Sequence, residues 1–184
     1  ILSFLIIKFF AGSARTFSKA ITVIPVDSYF YAIPFAFAVI VISTVLTPQL
    51  AALSAIIISM FACFLLDNRF VFFIYSFIGS LIASQEVVQS KERKTIIRAG
   101  LIVGVLNLAI ILSLYLISGD IFKAEVFISL GFGMLSGLLS SILAIGVIPV
   151  IEIIFNYTTN IKLLELADLN QPGLRKLLIE APGT

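Results

Sequence analysis

No charged residue occurs between Ser28 and Leu66. A run of that length cannot coat a protein dissolved in water. One crossing of a bilayer takes roughly 20 apolar residues of helix, because the hydrocarbon core is about 30 Å thick. The run is too long for one crossing and suits two. Its natural break is Thr47-Pro48-Gln49. Proline lacks an N–H and costs a helix interior about 3 kcal/mol. It also pushes the residue before it out of the helical region. Helices are therefore expected near 30–47 and 49–66, joined by a tight turn.

The same reasoning divides the rest of the chain. Asp67-Asn68-Arg69 is the next polar break, and Phe70 to Gln85 is an uncharged third span. The most polar stretch follows, with Glu86, Lys91, Glu92, Arg93, Lys94 and Arg98. Ala99 to Gly119 is a fourth span, ended by Ser118-Gly119-Asp120, and Val126 to Ile151 is a fifth with Pro149 near its end. Ile1 to Ala11 carries Lys8 and is short for a crossing, so it reads as a partial span. The expected fold is all-α. It is a polytopic transmembrane bundle over residues 1–155, with five full spans and a truncated first one, followed by a water-facing segment over 156–184.

Composition narrows the function. Only 12% of the 184 residues are charged and 60% are hydrophobic, whereas soluble domains carry about 25% charged residues. Histidine is absent, which removes the usual general base and the commonest metal ligand. Cys63 is the single cysteine. It can form neither an intrachain disulfide nor a thiolate cluster, and a small buried hydrophobe is its ordinary role. A net charge of +2 gives no basis for nucleic-acid binding. No cofactor is expected in this chain.

Lys and Arg in short loops favour the cytoplasmic side. The 86–98 segment carries Lys91, Arg93, Lys94 and Arg98, against Arg69 and Lys123 in the loops at 67–69 and 118–125. That segment is expected inside, and so, two spans later, is the chain after residue 155. Arg15 and Lys19 then lie outside and count against the assignment.

Small residues four apart let helix backbones approach closely. Gly79 and Ala83, Gly100 and Gly104, and Gly133 and Gly137 have this spacing. Packing within one chain is its commoner use; a homodimer interface or a gating seam is the other. Asn107 is the amide in the middle of a span and is expected to bond between helices. Glu152 sits at a predicted membrane edge, where it would pair or snorkel. A transporter would show paired intramembrane charges or matched helix breaks. Pro149 is a candidate break with no counterpart in the first half.

From Asn156 onward the pattern changes. Lys162, Arg175 and Lys176 balance Glu165, Asp168 and Glu180. Asn170-Gln171-Pro172-Gly173 reads as a turn, and Leu174 to Glu180 as a short helix with Leu174, Leu177 and Leu178 on one face. Such a segment is too short to fold alone. It reads as a coupling element.

This tail carries a resemblance. Ile151-Glu152 through Thr159, then Leu163-Leu164-Glu165-Leu166-Ala167-Asp168-Leu169-Asn170-Gln171-Pro172, then Leu177 to Thr184, resemble the junction in bacterial seven-transmembrane HD-domain phosphohydrolases, which include the PgpH-type cyclic-di-AMP phosphodiesterases. Tyr31 to Pro34, Leu46 to Pro48, Arg98 to Gly104 with Asn107, and Gly137 to Pro149 are similar to that family's spans, in the same order. The resemblance implies a membrane domain in the bacterial cytoplasmic membrane. It also implies an extracellular sensor domain on one side and a cytoplasmic HD hydrolase domain, with its divalent metal ions, joined after Thr184. The family's first metal-binding histidine falls beyond that point, so this chain is expected to be inert as a hydrolase. Its expected function is membrane anchoring and signal relay, with Pro149, Glu152, Glu165, Asp168, Asn170, Gly133 and Gly137 as candidate coupling and packing residues. A plain anchor is one alternative. A freestanding small-molecule transporter or ligand-binding membrane protein is another, which substrate flux in vesicles would reveal.

Overall fold

Polar breaks become helix ends where they should. In the computed structural model, which describes residues 2–20, 25–67, 69–89, 93–119 and 123–155, the helices are α1 (Leu2–Ala20), α2 (Val26–Phe30), α3 (Ala36–Val45), α4 (Pro48–Leu65), α5 (Phe70–Gln89), α6 (Arg93–Ser118) and α7 (Ala124–Phe155). Thr47 caps α4 by accepting the Leu50 N–H at 3.4 Å, and Pro48 occupies the first turn. No helix needs that N–H, so proline is well placed there. Asp67 closes α4 with φ of +62° and Gly119 closes α6 with φ of +76°. Both lie in the left-handed region, which glycine enters freely and aspartate tolerates.

Four helices, α4 to α7, are long and apolar enough to cross a membrane. The chain is thus a multi-pass membrane protein, though the span count differs from five full and one partial. The span expected near 30–47 is interrupted: α2 stops at Phe30 and α3, a ten-residue helix, starts at Ala36. Pro34 is the cause, since it cannot donate to Phe30 and it disfavours helix at Ile33. The opening segment, expected to end near Ala11, is one helix of 19 residues. The polar 86–98 segment is mostly helical, taken up by the end of α5 and the start of α6. Pro149, expected as a candidate break, lies inside α7, which runs 32 residues without interruption.

The buried faces follow helical spacing. On α5 they are Phe72, Tyr75, Ser76, Gly79, Ser80, Ala83, Ser84 and Val87; on α7, Val126, Ser129, Gly133, Ser136, Gly137, Ser140, Ser141, Ala144 and Ile148. Steps of three and four keep each set on one stripe. These stripes are small and polar, while Phe61, Phe64, Phe70, Ile117, Phe127 and Ile153 are exposed. That is the reverse of a soluble protein. Lipid tails are as apolar as leucine, so close packing and hydrogen bonds hold the helices together. α3 sits at the centre: Ala36 through Val41 are all buried, and α4, α5 and α7 pack around it.

Candidate functional site

The interruption between α2 and α3 frees backbone groups in the middle of the bundle. In hydrocarbon such groups must find partners within the protein. Here two distant helices supply them. The Tyr75 hydroxyl on α5 donates to the Tyr31 carbonyl at 2.8 Å, and the Ser136 hydroxyl on α7 donates to the Ile33 carbonyl at 2.7 Å. The Ile33 carbonyl also accepts from Phe35 N at 2.9 Å. Aromatic rings fix the segment laterally. Tyr31 meets Tyr75 edge-on at 5.1 Å and lies 5.3 Å from Phe72, and Phe30 meets Phe72 edge-on at 5.6 Å. Such pairs add about 0.5–1.5 kcal/mol each beyond burial.

A set of buried side chains extends this lattice in both directions. Toward the α4–α5 turn, the Tyr115 hydroxyl lies 3.0 Å from Ser129 Oγ, which donates to Ser28 Oγ at 3.0 Å. Toward the other end, Ser43 of α3 donates to the Ser84 carbonyl at 3.0 Å. Asn107 bridges α6 to α7 through the Gly133 carbonyl at 3.1 Å. Ser80 is fully buried, and its hydroxyl has no partner among the described residues. It borders a void of about 10 Å³ shared with Tyr75, Asn107 and Ser136, too small for any ligand larger than water.

Glycines set the spacing of α6 and α7. A Cβ on Gly137 would strike the backbone of Gly100 and Gly104, including Gly104 Cα at 2.7 Å. One on Gly100 would meet the Gly137 carbonyl at 2.8 Å, and one on Gly133 would strike Ile111. The Gly100–Gly104 and Gly133–Gly137 spacings are therefore used inside one chain. A second copy would have to use another face.

Charge gathers at the two ends. Near the α4–α5 turn, Arg15 pairs with Asp67 at 3.1 Å and also donates to the Leu65 carbonyl at 3.3 Å. Arg69 pairs with Asp27. The four side chains are 43–65% exposed, so each pair contributes no more than about 1 kcal/mol. At the opposite end Arg98 and Glu86 stand 4.0 Å apart.

Of the candidate residues, Gly133 and Gly137 lie together on the α6-facing stripe of α7, with Asn107 opposite. Pro149 and Glu152 lie half-buried farther along α7. Glu165, Asp168 and Asn170 lie outside the described residues. Sequence reasoning missed Tyr75 and the Tyr31–Phe35 interruption. Pro34 was the available signal, hidden inside an unbroken apolar run.

A family model described as a 7TM receptor with intracellular HD hydrolase matches residues 1–159. The chain is 35% identical over 155 residues to the cyclic-di-AMP phosphodiesterase PgpH of Listeria monocytogenes, covering 82% of this chain and 21% of that protein. It is 31% identical over 161 residues to the cyclic-di-AMP phosphodiesterase PgpH of Bacillus subtilis, covering 84% of this chain and 23% of that protein. The chain thus spans about a fifth of the length of these relatives. No solved structure matches it. A matching model across most of the chain and two relatives above 30% identity place this helical bundle in the family of 7TM receptors with an intracellular HD hydrolase.

Proposed function

We propose that this chain is the non-catalytic membrane relay of a cyclic-di-AMP phosphodiesterase. In this reading the residues after 155 enter the cytoplasm and lead to an HD hydrolase domain with its divalent metals. An extracellular sensor domain acts on the opposite end. The protein sits in a bacterial cytoplasmic membrane, and residues 1–155 form its helical domain.

One observation carries the reading: the Ser136 hydroxyl ties α7 to the Ile33 carbonyl of the interrupted span. A relay needs an element with two arrangements, and in this reading the interrupted span is that element. α7 then conveys the change. Its 32 residues extend about 48 Å at 1.5 Å per residue, longer than the hydrocarbon is thick. A shift beside Ser136 therefore reaches Glu152, near the end of α7, through one continuous helix.

The test uses the full-length polypeptide in native membranes. Ser136→Ala is expected to change cyclic-di-AMP hydrolysis per molecule by about fivefold or more, the size of a modest coupling free energy. Ser113→Ala, whose exposed hydroxyl bonds only within its own helix, is expected to leave the rate alone. An unchanged rate in Ser136→Ala, at equal abundance and insertion, would sink the relay and leave a plain anchor.

A further inference from the structure

The charged pair Asp27–Arg69 is more than a clasp between α2 and the start of α5. It forms one side of a cavity of about 270 Å³, walled elsewhere by Tyr31, Phe72, Leu114 and Tyr115. We propose that this cavity binds a small amphiphile: an anionic carboxylate or phosphate group, held by Arg69, on a compact apolar body.

Asp27 and Arg69 neutralise one another, so spare hydrogen-bond donors, not net charge, favour an oxyanion here. Arg69 presents five N–H donors in a planar fork, and the structure commits one nitrogen to Asp27. Among the described residues the rest are left for a second oxyanion, which guanidinium groups bind in two-point fashion. Tyr31 closes the bundle side. An incoming ammonium would find a single carboxylate, Asp27, engaged by Arg69, whereas Arg69 has more donors than that contact uses. Phe72 and Leu114 supply apolar wall, as ligand pockets generally do.

Volume selects the size. Ligand pockets usually run from about 300 to 1,000 Å³, so this one is at the small end. It suits a short fatty acid, an aromatic carboxylate or a phosphomonoester, and it is too small to enclose a dinucleotide. The same anionic group could also belong to a lipid, since Ile117 beside the cavity is 84% exposed on the outer surface of α6.

An occupant here would touch Tyr31, whose carbonyl is the one held by Tyr75 at the interruption. The site goes beyond the relay reading, and its occupancy is measured without reference to hydrolysis.

The experiment follows the thermal unfolding of the full chain in nanodiscs of zwitterionic lipid, using tyrosine emission. Hexanoate and phenyl phosphate are titrated as probes. A second set of nanodiscs contains phosphatidylglycerol. A saturable rise in Tm is expected in the parent protein, absent in Arg69→Gln and kept in Arg15→Gln, which removes an equally exposed cation at the same end. Val71→Trp, which fills the cavity wall without changing charge, should also abolish the rise and guards against misfolding of Arg69→Gln. A response to the soluble anions identifies a metabolite site, and a response to phosphatidylglycerol alone identifies a lipid site. If no probe raises Tm, or if the rise is the same in either Arg69→Gln or Val71→Trp as in the parent, the proposal is overturned.

Discussion

The Tyr75 hydroxyl reaches across to the Tyr31 carbonyl at 2.8 Å, although the two residues are 44 positions apart. That bond answers a requirement created three residues later by Pro34. The amide that would have continued the helix, Phe35 N, turns instead to the Ile33 carbonyl at 2.9 Å. Tyr75→Phe keeps the ring and its contacts but removes the donor. A buried carbonyl left without its partner costs about 1–3 kcal/mol. We expect Tyr75→Phe to lower the unfolding free energy by about that amount in detergent or nanodiscs. Ser136→Ala should lower it less, because the Ile33 carbonyl keeps its bond from Phe35 N. Equal losses would mean the interruption is not organised as the hydrogen bonds indicate.

Ser80 gives the opposite expectation. Its hydroxyl is buried without a partner among the described residues, so removing it relieves a desolvated group rather than breaking a bond. Ser80→Ala should leave Tm unchanged or raise it. A clear drop would show that the hydroxyl has a partner.

Two glycines on the same helix separate packing from propensity. Gly137 faces the backbone of α6, whereas a Cβ at Gly146 meets nothing within 4 Å. Backbone cannot step aside as a side chain tip can. Gly137→Ala should force α6 and α7 apart, at a cost of about 1–3 kcal/mol by analogy with overpacked cores. Gly146→Ala should be tolerated. The comparison is read from the yield of folded protein and its Tm, and similar behaviour of the two variants would contradict the α6–α7 contact.

How far the sequence disclosed this fold depends on the range of the interaction involved. Thr47-Pro48 marked the start of α4 because its cap and its proline act locally, within one turn. Ser118-Gly119 marked the end of α6 for the same reason. Pro34 and Pro149 were harder. One interrupts a span and the other is carried inside α7, and proline chemistry alone treats them alike. At Pro34 the neighbouring carbonyls are held by Tyr75 and Ser136, from helices 44 and 103 residues away. No local pattern reports such partners. The Gly133–Gly137 pair was visible as a spacing, but its use against α6 required three dimensions.

The pair Arg15–Asp67 tests how much surface charge matters at this end. Both side chains are about half exposed or more, and salt screens such pairs. Asp67→Asn removes the charge while keeping a side chain that tolerates a φ of +62°. Its Tm in low salt should fall by less than the equivalent of about 1 kcal/mol, and the difference should vanish in 1 M NaCl, where the Debye length is about 3 Å. A large loss that persists in salt would mean that the backbone at Asp67, not its charge, is what the substitution disturbs.

The proposed sidedness rests on the distribution of basic residues and has a direct test. Arg93, Lys94 and Arg98 lie at the start of α6, the end of the bundle where Gln49 begins α4. Ala124 lies at the opposite end, at the start of α7. On the proposed orientation, which rests on the bias of lysine and arginine toward cytoplasmic loops, Gln49 is expected inside and Ala124 outside. Cys63, the lone cysteine, is first changed to serine. In that background Ala124→Cys should react with a membrane-impermeant maleimide on intact cells, and Gln49→Cys only after permeabilisation. Both positions are exposed, so accessibility alone does not separate them. The reverse labelling pattern would place the end of α7 outside the cell, and a cytoplasmic hydrolase joined to it would then be impossible.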